Sequence, residues 1–344
     1  MKKQASMIFG TSQLKSVVPA VLLFGLLGML PFLSSSHGQS EAGTLTRQVP
    51  IGVTTSTKNP LQIALLHWYN ANLATQFTAG ASPYGMAFDG ANIWVADNGS
   101  GKVTKLRAND GFNLGSFTVG TSPTGVAFDG ANIWVANINS GNVTKLLASS
   151  GAVLGTFTVG TQPVGIAFDG SNIWVTNNGS ANVTKLKASN GSVLGTFTVG
   201  TFPAAVAFDG TNIWVANNGS ANVTKLSTSG AVLGTFAVGS APSGIAFDGT
   251  NIWVANFGSN NVTKLSLAGA VLGTFAAGNG PSGIAFDGAN IWVADFNSTT
   301  VTKLLATTGA TVSTFTVGTE PQGVAFDGAN IWVSTFGGTT VSKL

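Results

Sequence analysis

Cysteine is absent from this 344-residue chain. That excludes structural disulfides and a lipid anchor of the lipoprotein type, so stability has to come from packing alone. Charge is scarce too, with Asp, Glu, Lys and Arg making up 8% of residues. The formal net charge of +3 is carried by Lys2, Lys3, Lys15, Arg47 and Lys58, all near the N-terminus. From Trp68 to Leu344 there are ten basic and eleven acidic residues, a net of −1. No basic stripe remains to follow a phosphate backbone, which argues against nucleic acid as a partner. Histidine occurs twice, at His37 and His67, and helix-favouring runs are nearly missing after residue 70.

What the chain has in abundance is one phrase, repeated. A Phe-Asp-Gly step falls at Phe88, Phe128, Phe168, Phe208, Phe247, Phe286 and Phe326, a period of 40 residues with two intervals of 39, and a tryptophan follows each Phe by six residues. A fixed period of this length marks a stack of supersecondary units forming one body. Each unit reads as four short strands rich in Val, Ile, Thr, Phe and Trp. In the first copy these are A, Gly85 to Phe88; B, Asn92 to Ala96; C, Val103 to Leu106; and D, Leu114 to Val119. Asp89-Gly90-Ala91-Asn92 is the hairpin turn between A and B.

Strand B is apolar on both faces, Ile93 and Val95 on one and Trp94 and Ala96 on the other, so it must lie between neighbouring sheets. A linear solenoid needs polar capping repeats, and none is present. The alternative is a ring. The stretch from Leu73 to Gly80 matches the last strand of a repeat, and the seventh copy ends at Val341-Ser342-Lys343-Leu344 without that strand. The expected fold is all-β: a seven-bladed β-propeller over residues 73–344, closed by an N-terminal strand that completes the last blade.

Ahead of the ring, the first 38 residues have a basic start and an uncharged apolar run from Val17 to Leu33, then small residues. This is the layout of a secretory signal cleaved between about 36 and 42, after Gly38 or Ala42. Residues 39–59 read as a linker and residues 60–70 as a short helix, with Asn59 as its N-cap and Pro60 at its first turn. The protein is expected to be secreted, periplasmic or held at the cell surface, with membrane contact only if the leader is retained, and to be a monomer.

The consensus P-x-G-[VI]-A-F-D-G-x-N-I-W-V-A-N, then N-V-T-K-L, then G-T-F-x-V-G resembles the YVTN-type propeller repeats of exported microbial proteins. It is similar as well to the repeats of the virginiamycin B (streptogramin) lyase group, in which D-G-N-L-W-F-T-E stands where this chain has DGANIWVAN. The resemblance implies a propeller and, from the lyases, a histidine base, an acidic residue near the Trp motif and a magnesium ion. Here the acidic position holds Asp97 and Asp295 but Asn137, Asn177, Asn217, Asn256 and Thr335 in the other copies, and no histidine lies within the repeats. Proton abstraction near neutral pH has no evident agent. A binding module is therefore expected rather than an enzyme, with no cofactor and no metal site.

Residues identical in every copy serve every blade, so function is sought where the copies differ. The seven repeat aspartates suit turn chemistry, the seven tryptophans suit the core, and the lysines of V-T-K-L are expected to pair with those aspartates along one face. Differences gather in the B–C and D–A loops, which a propeller places together at the mouth of its channel. After strand B stand Asn98, Ile138, Asn178 and Asn218, then Phe257, Phe296 and Phe336. With Tyr84, Asp97, Asp295 and Glu320 these phenylalanines form an aromatic and acidic arc over blades 5, 6, 7 and 1. Such an arc suits a small molecule, a glycan, a peptide or a cationic group. The alternatives are a lyase using Asp97, Asp295 or Glu320 with a metal, and a structural surface protein.

Overall fold

The structure, a computed structural model, describes residues 75–344. The expected leader, linker and helix of residues 60–70 lie outside the described residues, as do residues 73 and 74. From residue 75 onward the chain forms seven four-stranded antiparallel sheets. In blade 1 the strands are A, Pro83–Phe88; B, Asn92–Asp97; C, Lys102–Arg107; and D, Asn113–Thr118. The A strands lie innermost and touch their neighbours in sequence around the ring, and the A strand of blade 7, Pro321–Phe326, meets that of blade 1. Thr75–Thr78 pairs antiparallel with Thr340–Lys343, setting Phe77 opposite Val341, so the N-terminal strand is the D strand of blade 7 as expected.

Local chemistry explains why the repeat folds this way. Gly90 takes φ +96° in the A–B turn, a region side chains avoid. Asp89 Oδ1 caps that turn by accepting from the backbone N–H groups of Ala91 and Asn92. At the axis the sheets crowd together: a Cβ on Gly85 would stand 2.4 Å from the carbonyl oxygen of Thr124 in the next blade, so the small residue lets neighbouring inner strands approach. The core lies between blades. Trp94, Ala96 and Val103 of blade 1 pack against Val126, Ile133, Val135 and Leu146 of blade 2, and the same set recurs around the ring.

The tryptophans are core, as expected, and the structure shows what holds them. Trp94 Nε1 donates to Asp89 Oδ2 at 2.7 Å, its ring lies 5.5 Å from Phe117, and Lys105 Nζ stands 5.0 Å above it. A buried indole N–H without an acceptor costs roughly 1–3 kcal/mol, so each turn aspartate has a second role beyond the turn. Burial pushes the Asp89 carboxyl up, but donation from Trp94, Asn92 and the turn amides outweighs this and holds it below the ordinary value.

The lysines depart from expectation. They do not pair with the turn aspartates: among the described residues the ion pair present is Arg107–Asp110, on the surface. Lys105 Nζ instead donates to the carbonyl of Ala148 in the next blade at 2.7 Å, and Lys145, Lys185, Lys225 and Lys264 do the equivalent. The reason is competition for partners. The aspartate is already engaged by the indole and the turn amides, while the largely buried ammonium reaches a carbonyl and an aromatic face without crossing the tryptophan.

Candidate functional site

The B–C and D–A loops meet on one face, around a cavity of about 680 Å³ at the ring's centre. Blades 2 to 7 each deliver a residue there by the same route, and Asn98 holds the same position in blade 1 outside the wall. Strand B ends, the chain turns, and the next residue stands at the wall. In blades 1, 3 and 4 the position holds an asparagine whose side-chain amide donates across the gap: Asn98 to the Pro123 carbonyl at 3.1 Å, Asn178 to Pro203 at 3.4 Å and Asn218 to Pro242 at 3.3 Å. The amide thus clips one blade to the next.

In blades 5, 6 and 7 the clip is replaced by phenylalanine, and ring contacts take over. Phe257 and Phe296 lie 6.0 Å apart between centroids, Phe296 and Phe336 6.1 Å, and Phe336 meets Tyr84 edge-on at 5.9 Å. Four half-buried rings therefore run without a break across blades 5, 6, 7 and 1 and line the cavity. Spacings of this size fall in the range where aromatic pairs attract.

The acidic members of the arc are placed differently. Asp97 and Asp295 are fully buried and lie outside the cavity wall. Asp97 accepts from the Gly80 backbone N–H at 2.8 Å and from Thr104 Oγ1 at 2.6 Å; Asp295 accepts from Gly278 at 3.0 Å and Thr302 at 2.8 Å. Asn137 occupies the same place in blade 2, accepting from Gly120 and donating to Asn142 and Thr144. Burial pushes the Asp97 carboxyl up to about 6, against the opposing pull of Thr104, Gly80 and Lys102, and raises Asp295 in the same sense. Glu320 is exposed in the D–A loop at φ +53°, and its carbonyl accepts from the Phe336 N–H at 2.9 Å. It adjoins the aromatic wall through the backbone.

Tyr84 apart, the wall residues of strand A escaped the sequence reading, which looked to loops alone. Strand A contributes Tyr84, Val164, Ala204, Ser243, Ser282 and Gln322, all from the position after its proline. That position differs in every copy except Ser243 and Ser282, and this variation was the available signal. The hydroxyls there span the blade gap: Ser243 Oγ donates to the Pro281 carbonyl at 2.8 Å and Ser282 Oγ to Pro321 at 3.1 Å.

The wall holds no carboxylate, imidazole or amine. Tyr84 is its one titratable group, and burial, partly opposed by a hydrogen bond with Gln322, raises its pKa, so the phenol is neutral at physiological pH. Among the described residues no cluster of three or more His, Asp or Glu side chains could hold a metal ion. The arrangement offers aromatic faces on blades 5, 6, 7 and 1, with the Ser243 and Ser282 hydroxyls and the Gln322 amide on those same blades and the Asn178 and Asn218 amides on blades 3 and 4.

No protein-family model matches the chain, and no curated protein matches it. Solved structures do. A streptogramin B lyase is similar with 18% identity over 78% of this chain and 96% of that one, at a TM-score of 0.69. A selenomethionine-substituted virginiamycin B lyase from Staphylococcus aureus gives 16% identity, 78% and 98% coverage and 0.69. A hydrazine synthase of Kuenenia stuttgartiensis gives 19%, 78% and 96%, and 0.70. At such identities the likeness is one of backbone, and it agrees with the sheet order: this chain is a seven-bladed β-propeller of the architecture those proteins share.

Proposed function

We propose that the protein is an exported binding module that takes up a neutral, amphipathic ligand in the central cavity. The four-ring wall of Phe257, Phe296, Phe336 and Tyr84 carries this reading. A continuous aromatic surface, with hydroxyls beside it and the Asn178 and Asn218 amides on the other blades, accepts the apolar face of a sugar, a peptide or a small cyclic compound, and orients its polar edge. The absence of charge from the wall favours a neutral ligand over an ion.

A lyase reading has the names of two fold neighbours in its favour. The residues on which it would depend support it poorly, because Asp97 and Asp295 are buried behind the wall and engaged in hydrogen bonds, and Glu320 stands outside it. Binding is the reading the site chemistry favours.

The test is a thermal-shift screen of the protein against neutral oligosaccharides, peptides and streptogramins, with product analysis of every mixture. A ligand at a hundred times its Kd adds about 2.7 kcal/mol of stability. The expected result is a shift that Phe296→Ala abolishes while leaving the unliganded melting temperature within a few degrees. Turnover of a streptogramin would establish the lyase instead, and no shift from any class would leave the aromatic wall as blade packing.

A further inference from the structure

Every blade ends on a D strand paired on one side only among the described residues. In blades 1 to 6 these strands are Asn113–Thr118, Val153–Thr158, Val193–Thr198, Val232–Ala237, Val271–Ala276 and Thr311–Thr316. None contains a charged residue or a proline. Folded proteins defend exposed sheet edges with charge, proline, bulges or a covering element. Among the described residues only one of these devices is used. A bulge sits between the partners of Lys145 and Leu146, at Leu154, and beyond it Gly155 to Thr158 run in regular register with strand C. The same bulge recurs in blades 1 to 6.

The outward side chains are apolar or hydroxyl-bearing. Val232 and Leu233 are 56% and 54% exposed, and the equivalent pairs in blades 2, 3 and 5 stand out equally. Past the bulge, Thr156 and Thr158 are exposed while Phe157 turns toward the core. This pattern is self-complementary. Two such edges, laid antiparallel about a two-fold axis through Thr156, set Thr156 against Thr156 and Leu154 against Thr158, twice. Thr against Thr is a cross-strand pair that stabilises antiparallel sheets.

We infer that the protein associates with further copies of itself by edge-to-edge pairing of D strands. The second copy is the partner for two reasons. An edge without charge meets no repulsion from its own kind and offers no counter-charge to attract a different one. A second ring also presents the same uncharged edge at six places, so a matching partner surface exists by construction, and the contact is isologous. Because each ring keeps free edges after one contact, association proceeds past the dimer. This departs from the monomer expected from sequence, which did not show that the Val-Leu pairs stand on the rim.

Sedimentation velocity on the intact chain over a roughly hundred-fold concentration range in the micromolar regime, where exposed edges associate, tests the inference. Wild type should show a weight-average mass rising several-fold. A variant carrying S116K, T156K, T196K, T235K, T274K and T314K, all exposed positions, should remain at monomer mass, while the matching threonine-to-serine set should associate like wild type. Hydrogen exchange on wild type alone gives a reading independent of any variant's folding: D-strand amides should gain protection with concentration. A wild type that stays monomeric, D-strand protection that does not change, or a six-lysine variant that assembles as well as wild type would each overturn it.

Discussion

At the scale of single residues, the informative contrast is between copies of one position. Asn137 and Asn177 fill a buried site with a side chain that both accepts and donates, and Asn217 and Asn256 donate from the same place with their Oδ1 atoms unpartnered; Asp97 fills the site in blade 1 with a side chain that, ionised, only accepts. Folded, its carboxyl keeps a proton up to about pH 6; unfolded, it releases it near 3.8. Between those values the folded state binds more protons, so stability falls as pH rises through that window, and the full cost is present above it. Asp97→Asn should therefore stabilise the protein at pH 7 by about 1–3 kcal/mol and lose that advantage below pH 4. Urea midpoints of both proteins from pH 3 to 8 check this, and parallel curves would refute it. The sequence showed that Asp97 differs from its sister residues, but not that it is buried. A carboxylate beside a loop reads as solvent-facing until the backbone places its neighbours Gly80 and Thr104 around it.

Elements were the most legible level. Strands, turns and the exchange of the N-terminal strand into blade 7 all follow from a repeat whose first copy has a spare strand before it and whose last copy lacks one. The lysines were not legible, because an aspartate and a lysine recurring once per blade toward one face suggest a pair, while in the structure the indole engages the aspartate and a carbonyl of the next blade takes the lysine. The closing strand carries a specific prediction. It contributes main-chain bonds to Thr340–Lys343 and the contact of Phe77 with Trp332, 5.4 Å between rings. With ladder bonds worth about 0.5–1.5 kcal/mol each, deleting residues 75–80 should cost on the order of 5 kcal/mol. A synthetic peptide of residues 70–82 added in trans should restore part of it. Denaturant titration with and without the peptide decides the matter, and an unchanged midpoint in the deletion would mean the strand is not what closes the ring.

For the whole molecule, closure distinguishes this ring from an open array of the same repeats. In an open array each unit answers only to its neighbours and can fray from either end. Here all seven interfaces share one circuit, with Trp332 of blade 7 packed against Ile93 and Val95 of blade 1. Unfolding in urea should be a single transition, with tryptophan fluorescence and far-UV circular dichroism coincident. The strand deletion should broaden it or separate the two probes. Coincident, equally steep transitions in both proteins would contradict the circuit. The cavity's position was legible at this scale, since the residues after strand B, where the copies differ, line it in blades 2 to 7. Its neutrality was not, because the acids that appeared to charge it are drawn behind the wall.

The pairing of Thr75–Thr78 with Thr340–Lys343 also sets an order of events. Among the described residues, the strand made first on the ribosome has as its partner the strand made last. Six blades can assemble from local contacts as the chain lengthens, but the seventh waits for residue 343. Until then the earliest-made strand has no place to go and the ring has a gap. This arrangement postpones completion of the fold until Thr340–Lys343 has been made, with a four-residue strand acting as the lock.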